Sequence, residues 1–460
     1  MDSVLLAVVS GISGLLCIGR EVYVILRARR IRICNLFLIM YGVTYGVVLS
    51  LLLVLNLTGT YRADGVFLRV DYSRAGVIQL AWWYLAAVVG YAAFRVGFAL
   101  RGTEHVRWRL TLSSAAGRAV RPPLSAAARE RLLLGRLQIT ALISFAIGLV
   151  CFLIWARGWG GYRTLFMNAA AIRNSSYGLR NSLAFFAKPA QIVATVSVIS
   201  LLLIRRRVNV WLNVLLFLLS FGVSLLYYSA KDGRMVMAMY LLIILFMAGD
   251  IFGRKAAVGR KLAWLLVLFV VFVTVVLNMD RLLKPLRGVI MLQVAETTVL
   301  EEMLDELSYI YVAGQTAVDE LVAHGSPMLI GHDIVQALFA WVPSALTPDG
   351  LIDVWDYNTA IIAAGRTSAQ FPTDMISTSL YDLGVVGPVL LPFVWGQIIS
   401  WLERQFRDRS SPLTEVVYCS LSMTLLRVVD YCNLHYTVAS VFHLFVAIVV
   451  FEVVRRLTWC

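Results

Sequence analysis

Long apolar runs separated by short charged stretches set the rhythm of this chain. A helix that crosses a bilayer needs roughly 20 apolar residues. Eleven stretches meet that need: 3–19, 33–57, 77–100, 137–156, 184–204, 208–228, 234–249, 262–279, 373–401, 413–429 and 436–454. The pattern predicts an all-α polytopic membrane protein of about 11 spans. The first stretch has Asp2 before it and its positive charges after it. That order fits a retained anchor with its N-terminus outside, not a signal peptide.

The charges between the runs give the direction. With the N-terminus outside, 20–32, 101–136, 205–207, 250–261, 402–412 and 455–460 are inner segments, and they hold 25 Lys and Arg. The outer segments 58–76, 157–182, 229–234, 280–372 and 427–435 hold 14. RARRIR at 27–32 and RRR at 205–207 both fall inside. Basic residues collect on the cytoplasmic side, so the expected topology is N-out/C-in. Three parts follow: spans 1–8 with short loops over 1–279, one large outer segment over 280–372, and spans 9–11 over 373–460.

The segment 280–372 differs from the rest. It carries twelve acidic residues, and loops this long are often functional. Within it, 299–323 has Met303, Leu304, Leu307, Tyr311 and Val318 near helical spacing, which predicts an amphipathic helix. WVPSALTPDG at 341–350 predicts a Pro-punctuated turn. The expected role is a lid or substrate groove outside the membrane. The inner segment 101–136 is rich in Arg and Ala and suits a surface lying on anionic lipid.

Composition narrows the class further. Apolar residues make up 60% of the chain and charged residues 15%. Soluble domains run at roughly 45–50% and about 25%. A soluble enzyme, a secreted disulfide scaffold and a disordered chain are excluded. The net charge of +14 is explained by topology, so nucleic acid is not an expected partner and membrane lipid is. The six cysteines make no CxxC pair, so neither a disulfide framework nor a zinc site is indicated.

Arginine carries the candidate chemistry. Arg173 and Arg180 stand seven apart, two helical turns, in AAAIRNSSYGLRNS. Arg234 stands in SAKDGRM beside Asp232. Arg287 follows span eight and Arg366 precedes span nine. Positive-inside statistics disfavour arginine on the outer face, so a role there has to retain it. A guanidinium offers forked, permanently charged donors that suit phosphate. Several around one pocket neutralise a departing diphosphate. A transferase also needs a proton acceptor, for which His324, His332, Asp232, Asp382 and Asp430 are the outer-side candidates. Trp341, Trp355, Tyr357 and Tyr381 offer aromatic faces for sugar rings. No HExxH, P-loop or GxSxG motif occurs. Asp64 and Asp71 are too far apart in sequence to form an adjacent acidic pair, so no metal or other cofactor is expected.

Three segments carry a family resemblance. YYSAKDGRMVMAMYLLIIL at 227–245 places Arg234 ahead of an apolar helix. Residues 303–348 follow the order amphipathic helix, apolar segment, then a W-x-P turn. QFPTDMISTSLYDLGVVGPVLLPFVWG at 370–396 reads as a re-entry into the membrane with Gly384 and Gly387. Together they resemble the bacterial oligosaccharide-repeat-unit polymerases of the O-antigen, Wzy-type group, related to the O-antigen ligases. The resemblance covers about 100 residues and implies a GT-C-like membrane fold. It implies joining of undecaprenyl-diphosphate-linked repeat units on the periplasmic face of the inner membrane, with undecaprenyl diphosphate as leaving group. Donor and acceptor glycolipids are the implied partners, with a chain-length regulator protein beside them. An O-antigen ligase, another polyprenyl-linked glycosyltransferase and a lipid-linked oligosaccharide flippase are the alternatives.

Overall fold

The structure is a computed structural model. It describes residues 2–27, 32–59, 70–100, 125–167, 182–230, 234–253, 299–325, 331–342, 354–362, 371–406 and 411–458, with isolated positions elsewhere and with backbone alone at Arg234 and over 299–306. Among the described residues the regular structure is entirely helical. Nine helical runs among the described residues are long and apolar enough to cross a membrane: Ser3–Arg27, Ile33–Leu57, Arg74–Ala99, Ala127–Gly158, Ala187–Arg205, Val210–Ala230, Met375–Phe406, Pro412–Val429 and Leu434–Leu457. These nine coincide with expected spans. The expected 234–249 coincides with the helix Arg234–Gly253. The expected 262–279 lies almost wholly outside the described residues.

The outer surface shows why the chain needs lipid. Leu15, Leu16, Trp211, Leu215 and Leu218 are all more than half exposed, a surface that water would penalise and acyl chains accept. The runs Ala187–Arg205 and Pro412–Val429 form the centre, with most of their residues enclosed.

Polar contacts sort the helix ends into two groups. At one end Arg205 pairs with Glu415 at 2.7 Å and Arg206 with Glu130 at 2.8 Å. There too Arg136 Nε donates to Thr458 at 2.9 Å and the Ile33 amide to Tyr418 at 3.1 Å. This basic end gathers stretches that the sequence assigns to one side. At the opposite end Gln79 donates to Asp319 at 3.0 Å and Lys188 Nζ to the Ala340 carbonyl at 3.1 Å.

Three departures from simple spans shape the interior. First, Ile33–Leu57 widens into a π-helical stretch at Val43–Val48. Such stretches often mark functional sites. This one lies against Ser3–Arg27, where Gly14 packs on Gly42 and Gly46. An added Cβ on Gly14 would lie 2.7 Å from the Gly42 carbonyl oxygen. Small residues at this spacing let two helices approach closely.

Second, the expected ninth span is two helices. Met375–Leu383 ends at Gly384 (φ 60), and Gly387–Phe406 follows. Gly387 lies directly on the Ser379 carbonyl, so the two fold back on each other. Nine residues rise only about 13 Å, too short to cross a bilayer alone. Asp374 starts the first helix by accepting the amides of Ile376 and Ser377 at 2.8 and 3.1 Å, an N-cap.

Third, the amphipathic helix predicted at 299–323 forms as Val299–His324. It is a wedge and not a detached cover. Its stretch from Ser308 to Val318 is largely buried, with Tyr309, Ile310 and Tyr311 enclosed. Gly314 rests on the Trp83 indole. Gln315 donates to the Asp71 and Gly76 carbonyls at 2.7 and 3.0 Å and accepts from the Asp71 amide at 3.0 Å.

Candidate functional site

Two stretches outside α-helix meet beside the wedge. One is 371–374, before Met375–Leu383. The other is 427–433, between Pro412–Leu426 and Leu434–Ala439. Broken backbone inside a helix bundle is tolerated where protein satisfies its polar groups. Here it does. The Cys432 amide donates to the Thr373 carbonyl at 2.8 Å, and its own carbonyl accepts from Thr373 and Thr378 hydroxyls at 3.1 and 2.8 Å. The Asp430 carbonyl accepts from Tyr309 at 3.2 Å and the Val429 carbonyl from Tyr45 at 3.2 Å. Asn358 reaches the Phe371 carbonyl at 3.1 Å.

Two fully enclosed carboxylates, Asp374 and Asp430, stand at this junction. The π-helical stretch supplies a hydroxyl to each. Thr44 donates to Asp430 at 2.5 Å and Tyr45 to Asp374 at 2.8 Å. Tyr45 is the middle residue of the run Ile33–Leu57, so the acids lie halfway along the spans. Ionisable groups at that depth are functional candidates. Their bonding separates their roles. Asp374 accepts from Tyr45, two backbone amides and the Ser377 hydroxyl. Those bonds spend it on the helix cap. Asp430 accepts from the Thr44 hydroxyl alone among the described side chains, which leaves it acceptor capacity for a further proton donor.

Arg427 completes the junction. It is 6% exposed. Its guanidinium lies 4.5 Å above the Tyr436 ring, and its Nε–H has no acceptor among the described residues. A buried charge left this way is expensive unless a ligand completes it. Around it, Trp355 stacks near Tyr436 and Tyr431 at 5.3 and 6.3 Å, and Tyr431 meets Tyr309 at 5.4 Å. The arrangement is an aromatic-walled cation with a free Nε–H, one helical turn from a buried carboxylate. It can receive an anion, and the carboxylate can accept a proton.

The residues singled out from sequence fall into three groups. Arg173, Arg180, Asp232, Arg287 and Arg366 lie outside the described residues. Arg234 opens the helix Arg234–Gly253, described in backbone only.

A second group sits on the surface. His324 is exposed at the end of the wedge and pairs with Glu320 at 3.3 Å on its own helix. His332 is exposed at the start of His332–Leu338. Its buried neighbour Asp333 accepts the Leu434 amide at 2.8 Å. Trp341 donates to the Val438 carbonyl at 2.8 Å and packs on Phe442 and Phe445.

The third group borders the junction. Trp355 forms its wall. Tyr357 meets Tyr381 edge to face at 5.4 Å. Burial, and then the Glu320 carboxylate beside it, hold the Tyr357 phenol above its ordinary pKa. Tyr381 is buried and donates to Asn358 at 2.9 Å, which makes it packing and not a sugar platform. Asp382 is buried as well. Among the described residues no three His, Cys, Asp or Glu side chains converge to hold a metal.

In the sequence alone Arg427 counts only as a topological charge, and Asp374 and the Thr44–Tyr45 pair are not among the candidates. Two signals were available. Pro372-Thr373-Asp374 before an apolar helix is an N-cap signature. Arg427 and Asp430 share one turn at the end of an apolar run. Comparison with known proteins adds no likeness: no family model, curated protein or solved structure matches this chain.

Proposed function

We propose that this protein is a multi-pass membrane glycosyltransferase that joins polyprenyl-diphosphate-linked glycan repeat units. The reading places the basic end in the cytoplasm by the positive-inside rule and the opposite end in the periplasm of a bacterial inner membrane. The observation that carries it is Arg427, a buried guanidinium with an unused donor inside an aromatic wall.

In this reading Arg427 binds the diphosphate of the donor glycolipid, joined by arginines such as Arg173, Arg180 and Arg234. Asp430 takes the proton from the acceptor sugar hydroxyl. That oxygen bonds to the anomeric carbon of the donor as the bond from that carbon to the diphosphate oxygen breaks. The undecaprenyl diphosphate leaves with its new negative charge held by guanidinium donors. Trp355 and Tyr436 supply faces for sugar rings. A ligase transferring the finished glycan to another lipid would use the same parts.

A glycan gel from cells lacking the gene tests the reading. Loss of the ladder with single-repeat bands retained is the expected result. Loss of all surface glycan would point to a ligase or a flippase. The flippase reading has one observation in its favour: a broken helix, the N-terminus of another and two enclosed carboxylates meet at mid-span, as discontinuous helices do in transporters.

A further inference from the structure

A second site lies apart from this junction. A cavity of about 300 Å³ opens between Ser3–Arg27, the π-helical part of Ile33–Leu57, and Arg74–Ala99. Leu16, 69% exposed, and Val88, 45% exposed, stand at its rim, so it opens on the apolar flank of the bundle. It runs from Ser13 toward Arg20 at the basic end, about 10 Å along the helix.

The lining hydroxyls are already used. Ser13 and Tyr84 bond each other at 2.5 Å, Tyr41 donates to the Ala87 carbonyl at 2.5 Å, Tyr45 donates to Asp374, and Tyr91 accepts from Arg20 at 3.2 Å. What remains for an occupant is hydrocarbon surface, so the groove favours an alkyl chain over water.

Among the described residues the charge at its basic end is not balanced. Buried Glu21 is bound by Arg95 at 3.2 Å and by Asn35 at 2.7 Å, and Arg20 adds a contact at 3.4 Å. Two guanidiniums share one carboxylate, which leaves one positive charge. The Arg20 side chain, 48% exposed, holds it at the mouth. A chain-shaped apolar groove ending in a single cation is complementary to an amphiphile with one anionic head.

We propose that this groove binds an anionic phospholipid from the leaflet at the basic end, its phosphate on Arg20 and one acyl chain against Gly14, Tyr41, Tyr45 and Val88. Tyr45 links the two sites. Its ring floors the groove and its hydroxyl holds Asp374, so the bound chain braces the junction.

The test uses the full-length protein, purified and stripped of lipid in detergent. Phosphatidylglycerol or phosphatidylcholine is added back. Native mass spectrometry reads the one-lipid adduct, and thermal unfolding reads stability. Phosphatidylglycerol is expected to bind one-to-one and raise the unfolding midpoint, and phosphatidylcholine is not. R20Q should weaken phosphatidylglycerol binding about fivefold, the worth of one surface basic residue. V88W should fill the groove and remove the adduct. R27Q, whose arginine stacks on Tyr23, should bind as wild type does. Equal binding of both phospholipids, or wild-type binding by both R20Q and V88W, overturns the assignment. So does an Arg20-dependent preference for polyprenyl phosphate over phosphatidylglycerol.

Discussion

At the scale of single residues, the proposed reaction divides its chemistry between Arg427 and Asp430. Arg427→Ala should leave the protein inserted and lower polymerisation by about 10²–10³-fold, the usual loss when one preorganised donor to a developing anion is removed. Arg427→Lys should fail nearly as badly, because a single ammonium does not reproduce a forked guanidinium stacked on Tyr436. Asp430→Asn should lower turnover by about 10²–10⁴-fold if the carboxylate is the proton acceptor, with donor binding retained. These are read by rates on a purified glycolipid. Asp374 belongs to structure. Asp374→Ala removes the cap of Met375–Leu383 and strands the Tyr45 hydroxyl. A lost cap costs about 0.5–2 kcal/mol and the buried hydroxyl about 1–3 kcal/mol more. Asp374→Asn keeps an acceptor there and should recover most of that, as a thermal melt in detergent would record.

At the scale of elements, the wedge helix covers the junction through Tyr309 and Tyr311, which donate to the Asp430 and Thr44 carbonyls. Its seat against Arg74–Ala99 depends on Gly314, where an added Cβ would lie 2.7 Å from the Trp83 indole. Gly314→Leu should lift the wedge, expose Tyr309 and Tyr311, and open the helix to limited proteolysis. Protection equal to wild type would mean that the seat tolerates bulk and that the helix is held elsewhere. The sequence made this helix legible through its spacing of Met303, Leu307 and Tyr311, and it made nine spans legible through length and hydropathy. It did not reveal the break at Gly384, because the mean hydropathy of Met375–Phe406 is high enough for one unbroken span and hydropathy is blind to direction. Nor did it reveal the π-helical stretch, whose cause is tertiary: the close seat of Gly14 on Gly42 and Gly46 and the pull of two buried acids on Thr44 and Tyr45.

At the scale of the whole molecule, the basic and opposite ends are separate in chemistry. Arg205–Glu415 and Arg206–Glu130 fasten the basic end, and the broken helices, the wedge and Arg427 occupy the interior toward the other. Cysteine placed at exposed Arg456 should react with impermeant thiol reagent only from the cytoplasmic side, and cysteine at exposed His324 only from the periplasmic side. Inversion of that pattern would remove the periplasmic reading of the site. The gathering of basic helix ends at one end of the bundle was legible in the charge counts of short segments, which need no tertiary knowledge. The sequence conveyed the site poorly. Arg427 and Asp430 gain meaning only when Thr44, Tyr309 and Tyr436, distant in sequence, are brought around them.

The most direct measurement is extension of a single-repeat glycolipid by the purified protein in proteoliposomes, with Arg427→Ala and Arg427→Lys run beside wild type. The account predicts a ladder of longer products with wild-type protein, release of polyprenyl diphosphate in step with it, and neither with the two variants. A wild-type-length ladder from Arg427→Ala would contradict it.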